Sequence, residues 1–246
     1  YSSKTSYTWT PITPADYYAC VDVKDSNTGT VVTQLLPITI KNRLSTGIDV
    51  SEWQGNIDWK QVKNSGVEFA MLRVLSGTMS GLTVDPTFNK NIKNATANGI
   101  SVGVYRYGYA KTVAEARREA NMVVNALKAS GYGISYPVAY DVEDEATQGK
   151  LSKAELTAII KTFKSIIEAN GYKFMIYANK NWLENKIDMS QFSQDDVWIA
   201  QYRDYTPNLG YQYNGPGNVT IWQYSSRGKV PGISGDVDMN VGYKRY

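Results

Sequence analysis

From Gly47 onward, short apolar runs alternate with amphipathic windows, and this alternation restricts the possible folds more than any other feature of the chain. The apolar runs fall at 47–50, 68–74, 101–107, 136–143, 173–178, 197–202 and 219–224. Helical windows lie between them near 58–65, 86–98, 113–130 and 153–170, with a short one near 180–186. The helix ends are marked. Pro86 opens one helix and Gly99 follows it, while Gly66 ends the first. Thr112 with Glu115, and Ser152 with Glu155, form capping boxes ahead of helices that Gly131 and Gly171 terminate. Repeated β-α units place successive strands parallel in one sheet, and the simplest closure is a barrel. The expected fold is therefore α/β, an irregular single-domain (β/α) barrel of TIM-barrel type over residues 46–246. An eighth strand is expected near 236–239, and the last strands lack a clear intervening helix.

Residues 1–45 have a different character. Strand-like runs at 19–23 and 30–36 flank the turn-rich segment DSNTG at 25–29, which predicts a β-hairpin. A hairpin of this size is marginal alone, so residues 1–45 are expected to be a structural extension or the remnant of a preceding module. The polar opening YSSKTSYTWT contains no signal peptide and reads as a mature or trimmed chain.

Composition narrows the chemistry. The chain has no histidine, which removes Ser-His-Asp and Cys-His catalysis, His-ligated zinc and imidazole acid–base work. Cys20 is alone, so neither a disulfide framework nor a CxxC site can form within the chain. Any proton transfer falls to Asp, Glu, Tyr or Lys, with carboxylates first. The net charge of +3 is spread without a dense basic run, which argues against a nucleic-acid binder. No stretch approaches the roughly 20 apolar residues of a membrane span.

In a barrel the functional site lies at the C-terminal ends of the strands. Asp49 ends the first predicted strand, Asp141 and Glu143 end the fourth, and Asp238 lies at the last. Strand alternation puts Ala139, Asp141 and Glu143 on one face and Val138, Tyr140 and Val142 on the other. The Cα atoms of the two acids should be ~6.5–7 Å apart, from a rise of about 3.3 Å per residue. Such a pair can flank one glycosidic bond, and mutual repulsion can raise one pKa to suit a general acid. Clustered carboxylates also suit Mg²⁺ or Ca²⁺, and the residues alone leave that open. Trp53, Tyr105, Tyr107, Tyr177, Trp198, Tyr202, Trp222 and Tyr224 fall at or near strand ends, as do Gln201 and Gln223. Rings and amides of this kind suit a carbohydrate cleft, although aromatics also favour strands and cores.

GIDVSEWQG (47–55), DVE (141–143), WQYSS (222–226) and GDVDMN (235–240) together resemble glycoside hydrolase family 25, the Chalaropsis-type lysozymes. The resemblance runs in order from about Gly47 to the C-terminus. It implies an irregular β/α barrel that hydrolyses the β-1,4 bond between N-acetylmuramic acid and N-acetylglucosamine. It implies Glu143 as general acid, Asp141 as its essential neighbour, and Asp49 and Asp238 as further acids of the mouth. Asp141 would attack, or orient the substrate's own 2-acetamido group, and either route retains anomeric configuration. Trp53, Tyr105, Arg106, Tyr107, Tyr177, Gln201, Tyr202, Trp222 and Gln223 are the expected substrate contacts. Arg106 departs from the family pattern, in which many relatives carry His. No cofactor or metal is expected. The partner is the peptidoglycan glycan strand, met by a monomer outside the cell or at its wall. The alternatives are a chitinase-like glycosidase and a catalytically silent sugar-binding barrel, and retention of all four acids argues against the latter.

Overall fold

The computed structural model describes residues 16–39 and 44–246, and the chain divides into two units at Leu44/Ser45. In the first unit, β1 (Asp16–Lys24) pairs antiparallel with β2 (Val31–Thr39), in register from Asp16↔Thr39 to Lys24↔Val31. Their turn is held by Asp25, whose Oδ1 accepts from the backbone N–H groups of Asn27 (2.7 Å) and Thr28 (3.1 Å). Gly29 takes a left-handed φ of 72° there. This is the hairpin that the DSNTG segment predicts.

The second unit contains β3 (Ser45–Val50), α1 (Trp59–Asn64), β4 (Phe69–Ser76), β5 (Thr83–Val84), α2 (Phe88–Ala97), β6 (Ser101–Tyr107) and α3 (Val113–Ser130). It continues with β7 (Val138–Asp141), α4 (Lys153–Ala169), β8 (Phe174–Asn179), β9 (Asp196–Ala200), β10 (Asn218–Gly228) and β11 (Val237–Gly242). Eight strands close in the order β3-β4-β6-β7-β8-β9-β10-β11, and β5 lies as a short antiparallel strip on β4. The helix ends follow the predicted signals: Thr112 and Ser152 cap α3 and α4 through their side chains, and Gly131 stands left-handed after α3. The expected short helix near 180–186 is a π-helical turn, Trp182–Lys186.

Among the eight closing strands, pairings from β3 through β10 are parallel, but β11 is antiparallel to both β10 and β3. The irregularity expected at the last strands takes this form for a geometric reason. Only residues 229–236 separate β10 from β11, too few for a parallel crossover, which needs about a dozen or more. The chain turns back as a hairpin, so β11 begins at the end of the barrel where the other strands finish.

Alternation sorts each strand into an inner and an outer face. Phe69, Met71, Tyr136, Ala139, Met175, Tyr177, Trp198, Ala200 and Ile221 form one cluster inside the barrel. Tyr140 points outward and stacks on Phe163 of α4 with centroids 4.1 Å apart. At the N-terminal end of the barrel, Phe69 stacks on Tyr136 (4.7 Å, 7°), and Tyr246 packs against Tyr136 at 4.9 Å. Glycine makes room for this floor, because a Cβ at position 47 would lie 2.1 Å from the Phe69 ring. The core is close-packed around a rigid ring, so that overlap has no cheap relaxation. Gly47→Ala should therefore cost about 1–3 kcal/mol by overpacking. Gly81→Ala, whose Cβ meets open space, should change stability by less than about 0.5 kcal/mol in the same denaturation experiment.

Candidate active site

The C-terminal ends of the parallel strands and the start of β11 surround a cleft of about 280 Å³. That volume sits at the low end for small-ligand sites, so an extended ligand would have to run across the rim. Asp49, Asp141, Glu143 and Asp238 all line it. They arrive from β3, from β7 and the residues just past it, and from β11, so three separated segments converge. The last ladder bond before Glu143 runs from the Val142 N–H to the Tyr177 carbonyl at 2.9 Å.

Each carboxylate has a distinct environment. Asp49 opposes Asp238 directly across the β3–β11 ladder. Its Oδ2 accepts from Gln223 Nε2 at 2.9 Å and from Asn240 Nδ2 at 2.8 Å. Burial and the Asp238 charge hold its pKa well above the ordinary carboxylate range, against the opposing pull of the two amides. Asp238 is pushed up to about 6 by burial, while its hydrogen bond with Asp49 works the other way. Asp141 also lies well above its usual value, through burial and then the charges of Glu143 and Asp49, with Arg106 opposing. Its Oδ1 is buried without a hydrogen-bond partner, an arrangement that costs free energy unless a proton or a ligand meets it. Glu143 is raised to about 7 by burial, then by Asp238 and Asp144. A carboxyl that holds its proton to neutral pH is suited to general-acid work.

The walls are aromatic. Tyr105, Tyr107, Tyr177, Trp198 and Tyr202 line the cleft, and Trp53 stands on the rim with 80% of its surface exposed. Gln223 joins wall to floor: its Oε1 accepts from the hydroxyls of Tyr177 (2.8 Å) and Tyr202 (2.6 Å), while its Nε2 serves Asp49.

Three expected substrate contacts lie elsewhere. Arg106 is buried on the outer face of β6, where its Nε and Nη2 donate to Glu119 Oε1 at 3.1 and 2.8 Å. Trp222 is buried on the outer face of β10 and donates to the Gln201 carbonyl at 2.9 Å. The side chain of Gln201 pins its own loop, accepting from the Gln212 N–H at 2.7 Å. Alternation gives the reason for the first two, since Tyr105, Tyr107 and Gln223 occupy the inward positions beside them. The same rule exposes what sequence reasoning missed. Arg73 follows Phe69 and Met71 on the inner face of β4 and lines the cleft with Ser51 and Gln54. Asn240 is the inward residue of the MetAsn pair and the second ligand of Asp49. Among the described residues, no group of three or more His, Cys, Asp or Glu side chains is placed to hold a metal ion.

The family model for glycosyl hydrolases family 25 matches residues 48–233. Escherichia coli YegX is 32% identical over 202 residues, which cover 79% of this chain and 68% of that protein. Lysozyme M1 of Streptomyces globisporus is 28% identical over 200 residues, covering 79% of this chain and 66% of that one. Among solved structures, the modular autolysin LytC of Streptococcus pneumoniae, in complex with a synthetic peptidoglycan ligand, superposes with a TM-score of 0.69 at 27% identity. That alignment covers 84% of this chain and 48% of LytC, so the chain spans about half the length of the autolysin.

The proton held by Glu143 has a measurable consequence. An unfolded Glu releases its proton near 4.5, whereas the folded protein keeps it to about 7. Stability therefore falls as pH rises through that window, because the native state binds the extra proton. Glu143→Gln removes this loss. The variant should match the wild type at pH 4.5 and exceed it by roughly 1–3 kcal/mol at pH 8, as read by urea unfolding at the two pH values.

Proposed function

The chain belongs to glycosyl hydrolase family 25, a glycoside hydrolase, and from that premise we propose that the protein is a lysozyme. It cleaves the β-1,4 bond between N-acetylmuramic acid and N-acetylglucosamine in peptidoglycan. The observation that carries this reading is the mouth itself, where Glu143 holds a proton to about pH 7 beside Asp141, whose Oδ1 has no protein partner. Residues 46–246 act as the catalytic barrel and residues 1–45 as an extension or the remnant of a preceding module. The site of action is the cell wall or the extracellular space, and the working form is a monomer. No helix among the described residues is long and apolar enough to cross a membrane.

In this mechanism Glu143 gives its proton to the glycosidic oxygen as the bond from that oxygen to the anomeric carbon breaks. Positive charge develops at that carbon. Asp141 meets it, either by attacking or by orienting the 2-acetamido group of the substrate to attack. Water then attacks the anomeric carbon, breaking its bond to Asp141 or to the acetamido oxygen, and a proton of that water returns to Glu143, which restores the starting state. Asp49 and Asp238 face each other across the β3–β11 ladder and hold the floor of the mouth beneath the reacting bond. Trp53, Tyr105, Tyr107, Tyr177 and Tyr202 supply ring faces and hydroxyls to the sugars, with Gln223 fixing two of those hydroxyls.

Digestion of purified peptidoglycan, followed by borohydride reduction and mass spectrometry, should release fragments reduced at muramic acid. Reduction at glucosamine would overturn the bond specificity, and binding without release would point to a silent sugar-binding barrel. Glu143→Gln should lower kcat by about 10²–10⁴-fold, the usual contribution of a positioned acid. The wild-type kcat/KM should fall as pH rises through about 7, where Glu143 loses its proton. Proton NMR of the nascent product should show the β anomer first. An α anomer first would replace both routes with direct attack by water.

A further inference from the structure

We propose that Arg227, stacked on Tyr205 beside the cleft, forms a subsite for a carboxylate carried by the glycan strand. The proposal rests on the peptidoglycan reading above, since it concerns what that strand bears besides its sugars.

β10 does not stop at the barrel mouth. Gln223 is level with Ala200, the last residue of β9, but β10 continues to Gly228 and pairs there with the start of β11. Arg227 lies on this overshoot and is exposed. Its guanidinium sits over the Tyr205 ring, 4.5 Å from the centroid. Tyr205 belongs to the loop after β9 and stacks on Tyr202 at 5.8 Å with 30° between the rings. Tyr202 lines the cleft and donates to Gln223, which in turn serves Asp49. An aromatic platform thus runs without a break from the ligand of a mouth carboxylate to the exposed cation.

The loop is built to hold that platform. Gln201 pins its base to Gln212, and Arg203 Nη1 donates to the carbonyls of Leu209 (2.6 Å) and Gly210 (3.3 Å). Tyr205 has φ of 58°, the one positive value among the described non-glycine residues. A bulky side chain in the left-handed region costs about 1–3 kcal/mol, and such strain concentrates at functional positions. Here it sets the ring beneath the guanidinium.

Arg227 has no carboxylate partner among the described residues. Asp236, in the turn of the same hairpin, is taken by Lys229 at 2.6 Å. A guanidinium resting on an aromatic face keeps its edge N–H groups in one plane, pointing outward, and that fork matches a carboxylate bidentately. Neutral sugar hydroxyls do not require a cation. A peptidoglycan strand offers carboxylates on its peptide stems, and on the lactyl group of muramic acid only where no stem is joined to it, since a stem takes up that carboxyl as an amide.

The test compares wild type, Arg227→Ala and Arg227→Lys on three substrates. These are native peptidoglycan, the same material with its carboxylates amidated by carbodiimide and ammonia, and strands stripped of stems by an amidase. On native wall, Arg227→Ala should raise KM about tenfold, the scale of one charge-assisted pair, with a smaller rise for Arg227→Lys. On amidated wall the wild type should decline to the level of Arg227→Ala, and the variant should be indifferent to the amidation. The amidase frees a lactyl carboxylate as it removes each stem, so a defect that persists on stripped strands shows that a lactyl carboxylate also fills the subsite, and one that vanishes assigns the carboxylate to the stems. An unchanged KM in Arg227→Ala on native wall, or an equal loss on native and amidated wall, overturns the subsite. Absence of native-wall cleavage by the wild type would instead sink the lysozyme reading, so the two failures are distinguishable.

Discussion

A carboxylate inside a barrel must be hydrogen-bonded or it destabilises the fold, and the way Asp49 meets that requirement organises the whole mouth. Its Oδ2 takes one amide from Gln223 on β10 and another from Asn240 on β11, while Asn240 Oδ1 accepts from Trp198 Nε1 on β9 at 2.7 Å. Four strands are thereby tied at one atom and its neighbours. Two of them come from opposite ends of the barrel sequence. The tie lies where the parallel order breaks, since β11 enters antiparallel and closes against β3. The seam of the barrel and the floor of the cleft are therefore the same polar contact.

The grouping of acids has an electrostatic cost that the fold contains without removing. Burial pushes Asp49, Asp141, Glu143 and Asp238 upward together, and repulsion from neighbouring acids adds to it at Asp49, Asp141 and Glu143. A cleft of this kind stores protons near neutral pH, which serves an acid catalyst and weakens the native state as pH rises. Behind this wall, Glu119 is fully buried and accepts from Arg106, the Tyr109 N–H (3.0 Å) and the Tyr140 hydroxyl (2.7 Å). That network locks the outer faces of β6 and β7. Because alternate residues share one backbone, it also fixes the pitch of Tyr105, Tyr107 and Asp141 on the inner faces. Arg106 thus bears on the cleft through Asp141 and the strand, with no surface turned to a ligand.

Much of this was legible in the sequence because period-2 alternation is a strict geometric rule. It put Asp141 and Glu143 on the inner face and Tyr140 on the outer, and Tyr140 does pack on α4. Where the rule was set aside in favour of residue type, the reading failed. Arg106 and Trp222 look like ligand-binding residues, yet each lies between inward neighbours and points outward, Arg106 to Glu119 of α3 and Trp222 to the loop after β9. Arg73 and Asn240 sit at inward positions and look like ordinary polar residues. The direction of β11 could have been read from the brevity of the segment before it. The role of Gln201 could not, because a side chain that pins a loop makes a contact set by tertiary packing alone.

The rim follows the same logic as the floor, with a buried acid placing an exposed side chain. The Asp85 side chain is wholly buried. It accepts from the Glu52 N–H (3.1 Å), Arg73 Nε (2.8 Å), and the N–H and hydroxyl of Thr87 (2.8 and 2.7 Å). Arg73 also pairs with Glu52, whose carboxylate accepts from Ser76 at 2.7 Å. The turn Glu52–Gln54 is therefore bound to β4 and to the approach to α2, while a capping box with Ser51 closes it on itself. Between these anchors stands Trp53, with an indole that packing would ordinarily bury. An apolar ring left in water on so constrained a turn gives the fold itself little. In the lysozyme reading proposed above, a sugar lying across the cleft would cover that ring.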